Sequence, residues 1–344
     1  MANFSKQRTS TETLAGGERR VFAHSASAEA LAVGAAAGAY PRVRVIEEHL
    51  SPQAAAFLDI DYFAALPSTN AAIKEAMREG GSEGKTVIAA VQTQGYGRQG
   101  RLWSSLLGGI YLSLLLRPQD AGKPLQEIPA LSLVLSLAVR SALMKLGCKV
   151  PVSLKWPNDV VSAQGKLCGI SLEAQDGALC VGVGLNLFRP CEPQTLEGKN
   201  IPAYVGELIP REKLAKTLSF EAAPKRSSKT PFEASSKTSS EAFTEVSPEG
   251  LSVSQVAFLE EATAILLSEI VCLYDTWLEK GFSVFRQEYQ KHATLQGQFV
   301  KLVSQANGTL HEGVVGGIDE RGCLVLTDAQ GNTTFIHSGE VHLV

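Results

Sequence analysis

The sequence predicts an α+β fold: a mixed β-sheet with helices on one side, followed by a separate small all-β unit. Three observations carry this. Between residues 86 and 185 strand-like runs succeed one another with few helices between them. Pro129 to Leu146 and Gln255 to about His292 carry apolar residues at helical spacing. From 297 to 344 short strand-like runs alternate with glycine-containing turns.

Residues 1–56 read as an extension, disordered or loosely packed: Ala26 to Ala39 is rich in Ala and Gly, and no pair of amphipathic helices joined by a short turn is legible. Asp59 to Phe63 leads into Ser68-Thr69-Asn70, a polar trio suited to cap a helix from Ala71 to about Arg78, with Gly80-Gly81 ending it. The β-branched run Thr86 to Val91 is a buried strand, Ile110 to Leu116 another, and Val152 to Lys155 a third. Pro129 suits a first helical turn and Gly147 stops that helix. Ile170 to Glu173 and Leu179 to Val183 form a hairpin around Asp176-Gly177. A helix begins at Arg211 and breaks near Phe220. Residues 221–250 then hold seven Ser, three Thr, five Glu and four basic residues without apolar periodicity, the composition of a disordered insertion. Helix resumes at Gln255, punctuated by Gly281. Phe299 to Val303, Leu310 to Val315, Cys323 to Leu326 and Thr333 to Ile336, with a closing run, suggest a small SH3-like barrel over 296–344. The larger domain spans 57–295.

The net charge of −3 offers no global basic field for nucleic acid, and no apolar run reads as long enough to span a membrane. The six cysteines form no C-x-x-C pair, so they read as reduced thiols of a cytoplasmic protein. All six histidines lie outside the stretch between His49 and His292, which leaves the core without a base for a Ser-His or Cys-His nucleophile. Met1 to Arg20 has no apolar h-region.

The chemistry concentrates in Gly95-Tyr96-Gly97-Arg98-Gln99-Gly100-Arg101. Its glycines match G-x-G-x-x-G, but a dinucleotide fold needs a helix directly after them, and here Gly108-Gly109 and a strand follow. Glycines that admit backbone amides, with two fixed cations, suit an anion-gripping loop between strands. A plain surface turn is the alternative.

Together with Ser68-Thr69-Asn70, Lys155-Trp156-Pro157-Asn158-Asp159, Lys166-Leu167-Cys168-Gly169-Ile170 and Gly182-Val183-Gly184-Leu185-Asn186, this loop resembles the biotin protein ligases in order and spacing, over roughly 58–210 and from about 255 onward. The resemblance implies a class II synthetase-like catalytic domain. It implies that biotin is activated with ATP and Mg²⁺ as biotinyl-5′-AMP, without a prosthetic group, and passed to a lysine of a biotin carboxyl carrier protein. It further implies that Ser68, Thr69 and Gln92 bond the ureido ring, that Asn70 belongs to the same substrate site, and that Tyr96, Gly97 and Arg98 close over the ring. Lys166, with Arg98, Arg101 and Lys155, would meet the developing phosphate charge, Trp103 would pack on the ligand, and Asn186 would read the adenine. Gly169, Gly182 and Gly184 would leave room for the valeryl chain. The Mg²⁺ ligand is not legible. The family carries an acidic residue where Pro67 stands and arginine where Tyr96 stands. Alternatives are a lipoate or octanoate ligase of the same fold and a non-catalytic carrier-binding protein; a monomer and a homodimer are both open. Trp156 reads as core or ligand.

One expectation rests on composition alone. Replacing 221–250 by a short linker should leave thermal stability and activity near wild type; a large drop in melting temperature would show that the segment packs.

Overall fold

The computed structural model describes residues 41–190, 201–214, 250–304 and 308–343. Residues 1–40 and all of the 221–250 insertion but its last residue lie outside the described residues.

The main sheet has seven strands: β1 (Asp59–Leu66), β2 (Lys85–Gln92), β3 (Ile110–Leu116), β4 (Ser153–Lys155), β5 (Asp159–Ser162), β6 (Gly165–Gln175) and β7 (Ala178–Leu185). They run in the order β1-β2-β3-β7-β6-β5-β4. β1 and β2 are parallel and every other neighbouring pair is antiparallel, so the sheet is mixed, as the sequence predicts. The parallel pair requires a crossover, supplied by α3 (Thr69–Arg78) after the short helices α1 (Val43–His49) and α2 (Pro52–Phe57).

Side chains alternate across the strands, and the two faces have different partners. Leu112, Leu114 and Leu116 of β3 join the main core with α4 (Leu131–Lys145) and α5 (Val253–Lys280). Leu115 instead packs with Ile73 and Met77 of α3. The long helices thus lie on one side of the sheet. The other face is covered by α3 only over β2, β3 and β7, and its remainder holds the site described below.

Two sequence expectations are corrected here. The extension does not run to residue 56 without structure: α1 and α2 pack on α5, with Ile46 and Ala54 fully buried. Arg42 fixes this junction. Its backbone N–H and guanidinium donate to Glu260, at 2.7 Å and 3.1–3.2 Å, and the Glu260 side chain is only 1% exposed. The α1–α2 pair escaped notice because helices of seven and six residues show too few turns for periodicity to register. Second, one helical stretch, Leu125–Lys145, does have the length and hydropathy to cross a bilayer. Here it is the core helix against the sheet and α5.

Arg42→Ala should destabilise the fold by about 1–3 kcal/mol, because it leaves a buried carboxylate short of donors. The guanidinium is half-exposed, which keeps the value in that range rather than above it. Chemical denaturation of the two proteins would measure it; an unchanged midpoint would show that the backbone N–H alone suffices.

The C-terminal sheet is antiparallel with five strands, β8 (Phe299–Ser304), β9 (Leu310–Ile318), β10 (Leu324–Thr327), β11 (Thr333–Ile336) and β12 (Gly339–Leu343), in the order β11-β10-β9-β8-β12. It docks through α6 (Ser283–His292), whose Arg286 Nε donates to Ile318 O at 2.7 Å. It also docks through Trp156 Nε1, which donates to Gly322 O at 3.1 Å. Gly322 has φ +81°, and a Cβ there would stand 2.9 Å from Ala130 Cβ, so both backbone shape and close packing require glycine.

Candidate active site

The free part of the sheet face is floored by glycine. Register sets Gly182 of β7 between Ser113 of β3 and Ser171 of β6, and Gly184 between Tyr111 and Gly169. These side chains share one face because each is two residues from the next along its strand.

α3 enters this face with its N-terminal turn. Ser68 caps the helix, its Oγ accepting from Ala71 N at 3.4 Å. Ser68, Thr69 and Asn70 are all buried. Gln92, at the end of β2, is engaged at both ends of its amide. Its Oε1 accepts from Thr69 N at 2.7 Å and Thr69 Oγ1 at 3.1 Å, while its Nε2 donates to Ser105 Oγ at 2.8 Å. Ser113 Oγ lies 2.7 Å from Thr69 Oγ1 and 2.6 Å from Asn70 Oδ1. Asn70 Nδ2 donates to Ser171 Oγ at 3.1 Å and Glu173 Oε1 at 3.0 Å. A Cβ on Gly182 would lie 2.3 Å from Asn70 Oδ1 and 2.5 Å from Ser171 Oγ, so Gly182 makes room for this polar string rather than for an open channel.

The glycine–arginine loop is a narrow hairpin. Tyr96 pairs with Leu102, Trp103 N donates to Gly95 O at 2.9 Å, and Gly97 N donates to Arg101 O at 2.8 Å. The Gly97 amide is therefore committed within the loop, where the resemblance expects it to face the ligand. Tyr96, standing where the family has arginine, turns its side chain to α3 and β6. Its hydroxyl lies 3.4 Å from Glu173 Oε2, and Lys74 Nζ sits 2.8 Å from the same oxygen and 5.1 Å from the Tyr96 ring centre. Burial works against the Lys74 charge, but Glu173 outweighs it and holds the ammonium above its ordinary range. Burial, then the Glu173 carboxylate against the pull of Lys74, raises the Tyr96 phenol, which stays protonated.

Trp103 lies across the glycine floor. A Cβ on Gly184 would stand 2.6 Å from its Nε1, and one on Gly169 would stand 3.0 Å from Cζ3. Its Nε1–H is buried without an acceptor among the described residues, which favours any ligand that presents an oxygen there. Lys166 Nζ is 5.1 Å from the Trp103 ring centre. The same Nζ stands 2.6 Å from Asp159 Oδ1, an ion pair lying off the line of a good hydrogen bond, with both side chains largely buried.

Asp159 and its neighbour Asn158 gather the cations. Asn158 Oδ1 accepts from Arg98 Nη1 at 2.9 Å, and its Nδ2 donates to Ile170 O at 2.7 Å. Consecutive residues therefore hold Arg98 and Lys166 at one edge of the glycine floor. The sequence motif contains both residues without indicating a role for either, and it does not point to Ser113, Ser171, Glu173 or Lys74. The single signal for the serines was small polar residues inside otherwise apolar strands.

Three further expected residues have the following surroundings. Arg101 is exposed and its Nη2 donates to Gln99 Oε1 at 2.7 Å. Lys155 ends β4 and makes no side-chain hydrogen bond or ion pair among the described residues. Asn186 Nδ2 donates to Lys166 O at 3.0 Å, which makes it first a brace for the Lys166 backbone. Trp156 is core, 3% exposed.

A model of the biotin/lipoate A/B protein ligase family matches residues 62–187, the segment that builds this face. The likeness to that family is confined to this segment, a little over a third of the chain. A biotin–[acetyl-CoA-carboxylase] ligase of Mycobacterium tuberculosis is 36% identical over 153 residues, 43% of this chain and 57% of the relative. The bifunctional ligase/repressor BirA of Bacillus spizizenii is 34% identical over 152 residues, 42% of this chain and 46% of that protein. The chain thus matches about half the length of these curated relatives. Among solved structures, a mutant of the Aquifex aeolicus biotin protein ligase in complex with biotin has a TM-score of 0.59 at 26% identity, covering 84% of this chain and 99% of that one. The ligase of the same organism with biotin and ATP has a TM-score of 0.57 at 24% identity and shares the fold. The family's mixed sheet and small C-terminal β unit are both present here.

Proposed function

We propose that this chain is an ATP-dependent ligase that activates biotin as biotinyl-5′-AMP and transfers the biotinyl group to a lysine of a biotin carboxyl carrier protein. The observation that carries the reading is the placing of Arg98 and Lys166 by the consecutive residues Asn158 and Asp159, at the rim of a glycine-floored sheet face. Biotin and ATP stand in the descriptions of the structural neighbours, and that supports the choice of substrates.

The chemistry follows from charge. A carboxylate oxygen must approach the α-phosphate of ATP, two anions that repel, and pyrophosphate must leave with the P–O bond electrons. A preorganised ammonium beside the point of attack offsets that repulsion and stabilises the oxygens that gain charge. Lys166 has the position and the mobility for this, since one carboxylate holds it and a phosphate can share its three N–H bonds. In the second step the carrier's amine attacks the acyl carbon and AMP leaves. No side-chain base is needed if the amine arrives neutral. Mg²⁺ enters with ATP as part of the co-substrate. Among the described residues no group of three or more His, Cys, Asp and Glu side chains could hold it, so phosphates and water would supply most of its ligands.

The test is pyrophosphate release with ATP and Mg²⁺, driven by biotin in one arm and lipoate in the other. A carrier fragment is then weighed for one added biotinyl group. Release driven by lipoate, or none with biotin, would overturn the reading.

A further inference from the structure

The glycine–arginine loop is held from two directions. Arg98 Nη1 reaches Asn158 in the main domain, and Arg98 Nη2 donates to Ser338 Oγ at 3.1 Å, across a sequence separation of 240 residues. Ser338 sits in the turn between β11 and β12 of the C-terminal sheet. That turn is itself fixed. His337 Nδ1 lies 3.2 Å from the Sγ of buried Cys323. Burial, then the Asp319 carboxylate, pushes this thiol up to about 11, so it meets the imidazole as a neutral S–H. Cys323 directly follows Gly322, whose carbonyl receives Trp156 Nε1. The β9–β10 and β11–β12 turns are therefore tied to each other. One grips the Trp156–Asn158 segment and the other grips Arg98.

We propose that Ser338 is a positioning residue for Arg98, through which the C-terminal sheet holds the glycine–arginine loop closed beside the reaction site. The proposal rests on the ligase reading. An acyl adenylate is reactive, and the enzyme must keep it from water and stray amines until the carrier lysine arrives. A loop with three glycines loses conformational entropy when it closes, and a guanidinium bonded at two separate points opposes reopening. Ser338 touches no reacting atom on this account; it acts through Arg98.

The experiment uses the full chain. Enzyme-bound biotinyl-adenylate is formed from biotin and ATP, and its release is followed by filtration. Ser338→Ala should speed release at least about tenfold, the low end of the range for losing one hydrogen bond to a charged group. Biotin-dependent pyrophosphate exchange should change less than twofold, and the melting temperature should hold. Ser338→Thr, which keeps the hydroxyl, should restore retention. In an Arg98→Ala background the Ser338→Ala change should add nothing, since both remove one contact. Release within twofold of wild type for Ser338→Ala, or additive effects in the double variant, would overturn the proposal. Amide exchange of residues 95–102 tests the contact without any activity: it should quicken in Ser338→Ala, and unchanged exchange counts against the proposal. A wild-type protein that forms no adenylate overturns the ligase reading instead, and the exchange measurement still decides whether Ser338 holds the loop.

Discussion

Lys166→Ala is expected to lower biotin-dependent pyrophosphate exchange by roughly 10²–10³, the loss that follows when one preorganised donor is removed from a developing oxyanion. The backbone of Lys166 is clamped independently of its side chain. Its N–H donates to Ile201 O and its carbonyl accepts from Ala203 N, both at 2.8 Å, so truncation leaves the strand in place. What the variant loses is charge at the rim of the glycine floor. It also leaves Asp159, whose side chain is 14% exposed, without its ion-pair partner beside two anionic substrates. This second term can be separated. Lys166→Ala with Asp159→Asn removes the unpaired carboxylate and should recover part of the lost rate, while Lys166→Arg should retain more than either. Near-normal exchange in Lys166→Ala would remove Lys166 from the chemistry.

Trp156→Ala is expected to cost about 3–5 kcal/mol of stability, the usual range for truncating a buried tryptophan. Trp156 is 3% exposed, belongs to the main core, and bonds the Gly322 carbonyl of the C-terminal sheet. Its removal opens a cavity where the two sheets meet and leaves a buried acceptor unpaired. Trp156→Phe keeps most of the apolar contact and loses only the N–H, so about 1–3 kcal/mol is expected from the orphaned carbonyl. Denaturant titration of both variants reads the two contributions. If Trp156→Ala stays within 1 kcal/mol of wild type while biotin or ATP binding collapses, the side chain is a ligand contact and the core assignment is wrong.

Much of the architecture was legible because it is local. Residues Thr86 to Val91 and Ile110 to Leu116 read as strands from β-branched and apolar runs, and both are strands in β2 and β3. Gly281 was read as punctuation and separates α5 from α6. The short turns of the last 48 residues implied five strands, and five are present. Asp59 and Asp61 hide strand β1 in the sequence, because they lower its apparent strand character. Both aspartates face Lys85 on β2, which compensates them across the parallel pair.

The sequence alone marked a glycine–arginine loop and a lysine flanked by glycines as candidates for anion binding. Residue type and near spacing decide those features. It could not determine which of the four cations reach the site. Arg98 meets Asn158 across 60 residues and Ser338 across 240, and Asn70 meets Ser171 across 101. Such partners are chosen by strand register and by how the C-terminal sheet docks. A shift of one residue in β7 would turn Gly182 away from Ser113 and Ser171 and set a valine side chain against Asn70. Tertiary structure alone therefore decided that Asn158 meets Arg98 and Asp159 meets Lys166, because hydrophobic periodicity fixes which face a residue occupies and not which distant polar group it will meet there.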